Sequence, residues 1–322
     1  MLRSPLARKG CAIGALLAFV SAVLYGTNSA CLRRGVLHGS ASQAMSITVP
    51  LGVPLFLLAA LLSGQLFRYG QLPARSLSLF AVAGILHFVW GRYWNYRATM
   101  SLGSVGAGPI QQLQMLIAVA LAVIFLHERL TALKITGILL IIVGPVIVVL
   151  NAKRRSSAGV GGPLTPDERS KFRPQLLAGY GYSLLAAIGY GITPVLIRAG
   201  LRGNNLGLAG GLVAYIAASV VLMVFTLLAP GQIHHVRSMD RAGVPWYLLS
   251  GVLVFLAQML RFLALGLAPV TVVSPIQRLS LVARVIAGYF INRRHELLNA
   301  GVLAGVGVSL LGSAILGFAY AR

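Results

Sequence analysis

The chain has 322 residues, 57% of them hydrophobic and 10% charged, with a mean hydropathy of +0.85, so it has too little polar sequence to coat soluble domains. Its 27 lysines and arginines against 5 acids give a formal charge of +22, but the basic residues are scattered over short loops. Loop charges of that kind act as topology signals and lipid-headgroup contacts, which leaves membrane lipid as a partner and no role for nucleic acid.

In chain order, Arg3, Arg8 and Lys9 precede an apolar run too long for a signal-peptide core, and this run is the first retained span. Ten spans are predicted: 11–32, 43–63, 78–99, 104–126, 132–151, 176–199, 207–229, 245–267, 270–290 and 297–319. The expected fold is therefore an all-α integral membrane protein. Cys11 and Cys31 have no metal-like spacing and serve as small apolar fillers. Between the fifth and sixth spans, 152–173 is rich in Gly, Pro, Ser and charge, and it divides the chain into units 1–151 and 174–322.

The two units repeat. Tyr25-Gly26 leads to Arg33 and Gly35, as Tyr190-Gly191 leads to Arg198 and Gly200, at an offset of 165; PIQQL at Pro109–Leu113 recurs as PIQRL at Pro275–Leu279, at an offset of 166. Five spans is an odd number, so the second unit enters the membrane from the opposite side. Inverted repeats around a central site are a recurring transporter plan. Loop charges do not orient the molecule, with ten basic residues on the side holding both termini and twelve on the other.

Five arginines, Arg92, Arg97, Arg261, Arg278 and Arg284, sit inside spans that contain no acid. Each costs roughly 2.5–3.5 kcal/mol at a helix centre unless it has a partner. In the third span Arg92, Asn95, Tyr96 and Thr99 share one face, while Trp90 and Trp94 occupy another with His87 beside them. Gln258 and Arg261 are their repeat counterparts, with amide and guanidinium exchanged in order, and the inversion places the two clusters towards opposite membrane faces. They are substrate contacts or gate residues; the alternative is snorkelling to headgroups, which is the expectation for Arg97.

Pro109 and Pro275 bend the fourth and ninth spans and free carbonyls for other partners. Gln111 shares a face with Gln114, and Gln277 shares one with Ser280 and Arg284, while Arg278 replaces the second glutamine of the first copy. Arg278 and Arg284 are hard to explain by snorkelling, and they face a polar cavity or else tie to carbonyls exposed at Pro275. Tyr25, Thr27 and Asn28, with Tyr190, Thr193 and Pro194, line the same cavity or pack helices. Gly301, Gly305 and Ser309 make a packing stripe on the last span. No catalytic, metal or cofactor motif is present, and an enzyme is not expected.

From Pro109 through HERLTALKITGILLIIVG, with Glu128 after the fourth span, the chain resembles the drug/metabolite transporter superfamily, in particular its ten-helix EamA-like members. The resemblance covers about 11–151 and 174–319; the second copy departs from it, with Glu296 displaced behind Arg293-Arg294. It implies two inverted five-helix repeats, a central cavity, alternating access, cytoplasmic termini and a small-molecule carrier. The leading expectation is a secondary carrier in a bacterial inner membrane, working as a monomer or homodimer. Its solute is a small polar metabolite, anionic or zwitterionic, because no buried acid exists to hold a cation. The expected substrate contacts are Arg278, Arg284, Gln277, Gln111, Gln114, Arg92, Asn95, Gln258, Arg261, Tyr25, Asn28, Tyr190 and Trp94. Two other readings stay open: a non-transporting scaffold or regulatory subunit, and a lipid-headgroup carrier.

Overall fold

The structure, a computed structural model, describes residues 5–111, 113–126, 131–157 and 176–292, with residue 300 and four residue pairs between 304 and 315. Helices account for its regular structure, and among the described residues there is no strand. Helix α1 is Pro5–Val36. The second span is broken into α2 (Ala41–Thr48) and α3 (Gly52–Leu62). After a 3₁₀ turn at Leu66–Gln71, α4 (Ala74–Gly84) passes through a π-helical turn at Ile85–Gly91 into α5 (Arg92–Gln111). Then follow α6 (Leu113–Leu126), α7 (Ala132–Ser157), α8 (Leu176–Gly200), α9 (Gly207–Leu228), the short α10 (Gln232–Arg237) and α11 (Val244–Leu267). A last continuous segment comprises α12 (Val270–Ile276), a 3₁₀ turn at Gln277–Leu279 and α13 (Ser280–Asn292).

Among the described residues, seven helices are long and apolar enough to cross a membrane, and Leu113–Phe125 and Ala132–Gly144 are shorter apolar helices. The predicted span 297–319, with the small-residue stripe on it, lies mostly outside the described residues, as do Glu128, Glu296 and most of 152–173. Several boundaries differ from expectation, and α1 extends beyond 11–32 at both ends. Helix α7 runs on to Ser157, and α5 runs through 100–103, where a connection between the third and fourth spans was expected. The glycines at 103, 106 and 108 weaken a helix without ending it. The corresponding passage of the second half does break, because Pro269 forces Ala268 into extended backbone (φ −131, ψ 152) and starts a new helix.

The repeated Tyr-Gly motif has a packing cause. Helix α1 packs against α11 and α13, and α8 packs against α5 and α6, so the leading helix of each sequence half lies on helices of the other. At Gly26 a Cβ would press on the Cβ of Ala283 and lie 2.5 Å from the Ser280 carbonyl. At Gly191, 165 residues on, it would lie 2.7 Å from both the Gln114 carbonyl and the Cβ of Ile117. Only glycine lets backbones approach this closely. The conserved spacing extends to the arginines that follow. Arg33 Nη1 donates to the Thr99 carbonyl at 3.3 Å, and Arg198 Nη1 donates to those of Leu265 and Gly266 at 2.5 and 3.0 Å. Each thus ties the end of its helix to the helix two spans on, Arg33 within α5 and Arg198 at the end of α11.

One cluster outside the spans joins the halves. Ser40 and Gln43 form a capping box on α2, His235 Nε2 lies 2.8 Å from Ser40 Oγ, and Gln43 Nε2 donates to the His235 carbonyl at 2.7 Å. His38 and Asp240 approach to 3.4 Å beside it.

Candidate functional site

The leading helices and their partners enclose a cavity of about 100 Å³ between the halves. Of the thirteen expected contacts, eleven line it and Gln258 and Trp94 do not. Helix α1 supplies Tyr25 and Asn28, α5 supplies Arg92, Asn95 and Gln111, and α6 supplies Gln114. From the second half come Tyr190 on α8, Arg261 on α11, Gln277 and Arg278 in the 3₁₀ turn, and Arg284 on α13. No aspartate or glutamate is among the lining residues.

Arg92 and Arg261 are 3% and 4% exposed, which rules out snorkelling for both. Arg92 Nη1 donates to the carbonyl and hydroxyl of Thr48, both at 3.3 Å, and its guanidinium lies 4.9 Å from the centre of the Phe88 ring. The Thr48 carbonyl is available because, where α2 gives way to α3, Gly52 N donates to the Val49 carbonyl instead. Arg92 Nη2 and the Tyr215 hydroxyl lie near one another, yet neither makes a hydrogen bond with proper geometry among the described residues.

Arg261 reaches His87 instead, with Nη1 at 3.3 Å from Nδ1. Gln258 meets the other ring nitrogen, Nε2. With the Gln258 amide turned so that its Oε1 accepts from Nε2–H, the imidazole Nδ1 accepts from Arg261, and an otherwise unpartnered amide oxygen is satisfied. Gln258 is therefore a support for His87 and Arg261, fully buried behind the cavity wall.

The clusters on the third and eighth spans both border this cavity, where Arg261 meets His87. The π turn brings His87 there. A turn closed i→i+5 takes in one residue more than an α turn, so His87 is carried away from the face of Trp94 and towards that of Arg92. Glycines flank the widened segment: Gly84 meets the backbone of Ala214, and at Gly91 a Cβ would lie 2.6 Å from the Tyr190 ring. Tyr190 in turn packs on His87 with ring centres 4.7 Å apart. A 3.6-residue period carries no sign of such a turn, and the role of His87 could not be read from it.

The PIQ glutamines are both tied. Gln111 Nε2 donates to Asn95 Oδ1 at 2.6 Å, and Gln277 Nε2 donates to Ser21 Oγ at 3.1 Å, while Ser21 Oγ donates to the Ala257 carbonyl at 2.7 Å. Pro275 removes a backbone donor, the chain tightens into the 3₁₀ turn, and Arg278 Nε takes up the Ser274 carbonyl at 3.3 Å. That bond stays within the turn, while the guanidinium lies in the field of Arg261 and Arg284. Asn28 Oδ1 accepts from Ser250 Oγ at 2.5 Å, which fixes the cavity end of α1. Ser29, Ser274 and Ser280 also line the cavity. Ser280 was expected on the face of Gln277 and Arg284, while Ser29 and Ser274, small residues on apolar helices, gave no sequence signal of their own.

Trp94 belongs to a separate cluster. Its ring stacks on Tyr182 at 5.3 Å, Arg97 is exposed and donates to the Tyr182 hydroxyl at 3.1 Å, and Trp90 Nε1 donates to the Leu185 carbonyl at 3.0 Å. This is the arrangement of an interfacial anchor rather than of a cavity wall. Thr193, buried on α8, donates to its own helix at the Gly189 carbonyl.

Comparison with known proteins places these features. No curated protein matches the sequence. A solved structure described only as the crystal structure of a protein superposes with a TM-score of 0.67 at 18% identity, covering 95% of this chain and 96% of its own, which establishes a shared fold. Residues 12–150 match the model of the EamA-like transporter family. The first part of the chain is thus similar to EamA-like transporters of the drug/metabolite transporter superfamily, and its long apolar helices are those of a multi-pass membrane protein.

Proposed function

We propose that the protein is a secondary carrier for a small polar metabolite, anionic or zwitterionic, in a bacterial inner membrane. Its working unit is ten spans in two inverted five-helix repeats, 1–151 and 174–322, joined by 152–173. The observation that carries the substrate class is the cavity itself, which Arg92, Arg261, Arg278 and Arg284 line without an acid among the described residues. Buried guanidiniums repel one another where the effective dielectric is low, and a solute bringing negative charge relieves that repulsion. A cationic solute would add to it.

The inverted reading draws on the matched contacts of Gly26 with Gly191 and of Arg33 with Arg198, and on the exchange of leading helices between halves. Alternating access follows if the two halves rock about those glycine contacts. Reconstitution into vesicles tests the reading. Arginine-dependent uptake of an anionic or zwitterionic solute is the expected result, and a protein that moves no solute while keeping its fold would instead be a membrane scaffold.

A further inference from the structure

We infer that the solute is a phosphate monoester, a doubly charged tetrahedral oxyanion without an ammonium group; this deepens the carrier reading and rests on it. Four buried donors among the cavity residues make no hydrogen bond with proper geometry among the described residues: Arg92 Nη2, Arg261 Nε and the hydroxyls of Tyr25 and Ser274, with Tyr25 and Arg261 lying near one another. Arg261 and Ser274 are only 4% and 3% exposed, so water does not satisfy them from outside. Burial without a partner costs such groups about 1–3 kcal/mol each, more for a charged one. Together they mark a position where acceptor oxygens belong.

The four donors come from four helices, α5, α11, α1 and α12, and so approach from different directions. Tyr25 lies in the field of Arg261, Arg92 and Arg278, and Arg278 in that of Arg261 and Arg284, so several cations act on the same donors. A single carboxylate offers one charge and acceptor sites in one plane. A phosphate monoester offers three terminal oxygens and a charge of about −1.5 to −2 at neutral pH, and it suits both forked guanidinium bonds and hydroxyl donors out of plane. A dicarboxylate has planar acceptors at both ends and offers no oxygen out of plane to the hydroxyl donors. An amino acid would bring an ammonium group into a cavity where no acid is present to receive it. On the opposite wall Asn95, Gln111 and Gln114 supply uncharged donors and acceptors, suited to the hydroxyl groups of a small carbon skeleton.

The test is ligand-induced thermal stabilisation of the full chain in detergent at constant ionic strength, with glycerol 3-phosphate, succinate, glutamate and glycerol as probes. Glycerol 3-phosphate should stabilise saturably, and the other three should bind at least tenfold more weakly. R261Q and R278Q should each weaken the phosphate response by tenfold or more, and S274A and Y25F by two- to fivefold. R278K, which keeps charge but loses the fork, should fall between R278Q and the natural protein, and R97Q should not change the response. If R278Q does not fold, the R278K, S274A and Y25F responses still decide the matter.

A short-chain phosphatidate binding more tightly than glycerol 3-phosphate would support the same chemistry and make its source a lipid headgroup. Equal or tighter binding of glutamate or succinate would overturn the inference, as would a phosphate response that survives both R261Q and R278Q. Arginine-dependent uptake of some other solute by vesicles, with no phosphate response, sinks this inference and leaves the carrier reading standing. A phosphate response without flux of any solute does the reverse.

Discussion

The two walls of the cavity are built from the same repeated motifs and differ in charge. The second-half wall carries Arg261, Arg278 and Arg284, while the first-half wall carries Arg92 with Asn28, Asn95, Gln111 and Gln114. The first glutamine of each PIQ motif makes a structural hydrogen bond, Gln111 to Asn95 and Gln277 to Ser21. The second position is where the copies part, glutamine at 112 and arginine at 278. The sequence copies thus share the first glutamine and differ in charge at the second position, while Arg92 brings one guanidinium to the first-half wall as well.

The largest expected effect breaks the charged wall. In reconstituted vesicles the R261Q/R278Q double variant should lose 100-fold or more of its uptake rate, since charge-assisted hydrogen bonds are worth about 1.5–3 kcal/mol each. Retained uptake would mean the solute does not meet this wall. Next come the glycines that seat the walls on each other. G26V and G191V should each lower stability by about 1–3 kcal/mol, read as a drop in melting temperature, because both contacts are with backbone that cannot yield. They should differ in function, because Gly26 faces the α13 backbone at Ser280 and Arg284 and Gly191 faces the α6 backbone at Gln114. Substrate binding should therefore suffer more in G26V at matched stability, and equal losses would deny the asymmetry.

On the first-half wall, Q111L removes the bond to Asn95 and should raise KM severalfold, consistent with about 0.5–1.5 kcal/mol for a neutral hydrogen bond. A loss as large as that of the arginine variants would show the amide wall to be the principal anchor. The smallest effect is expected outside the cavity. D240N removes an ion pair whose side chains are 39% and 52% exposed, and it should change stability by no more than about 0.5 kcal/mol in a thermal-melt comparison.

Much of this was legible in the sequence because duplication writes a contact twice. Tyr-Gly at 25–26 and 190–191 marked the close helix contacts, and the two PIQ motifs marked the cavity helices. What could not be read depends on tertiary packing. The π turn at Ile85–Gly91 moves His87 onto the cavity without altering composition or the local apolar pattern. Gln258 looks like a ligand contact by residue type, and only its bond to His87 shows it to be a support. Trp94 has the period of a neighbour of the cavity face, but stacking on Tyr182 turns it outward. The connection expected at 100–103 failed because glycine there is tolerated within a helix, whereas Pro269 at the matching place is not.

The most direct measurement is uptake into vesicles from an equimolar mixture of anionic, zwitterionic and cationic metabolites, with the vesicle contents identified by mass spectrometry. Anions or zwitterions should enter with the natural protein and fail to enter with R261Q/R278Q. Entry of an organic cation, or uptake unchanged in the double variant, would contradict the assignment of the cavity as an anion-carrying site.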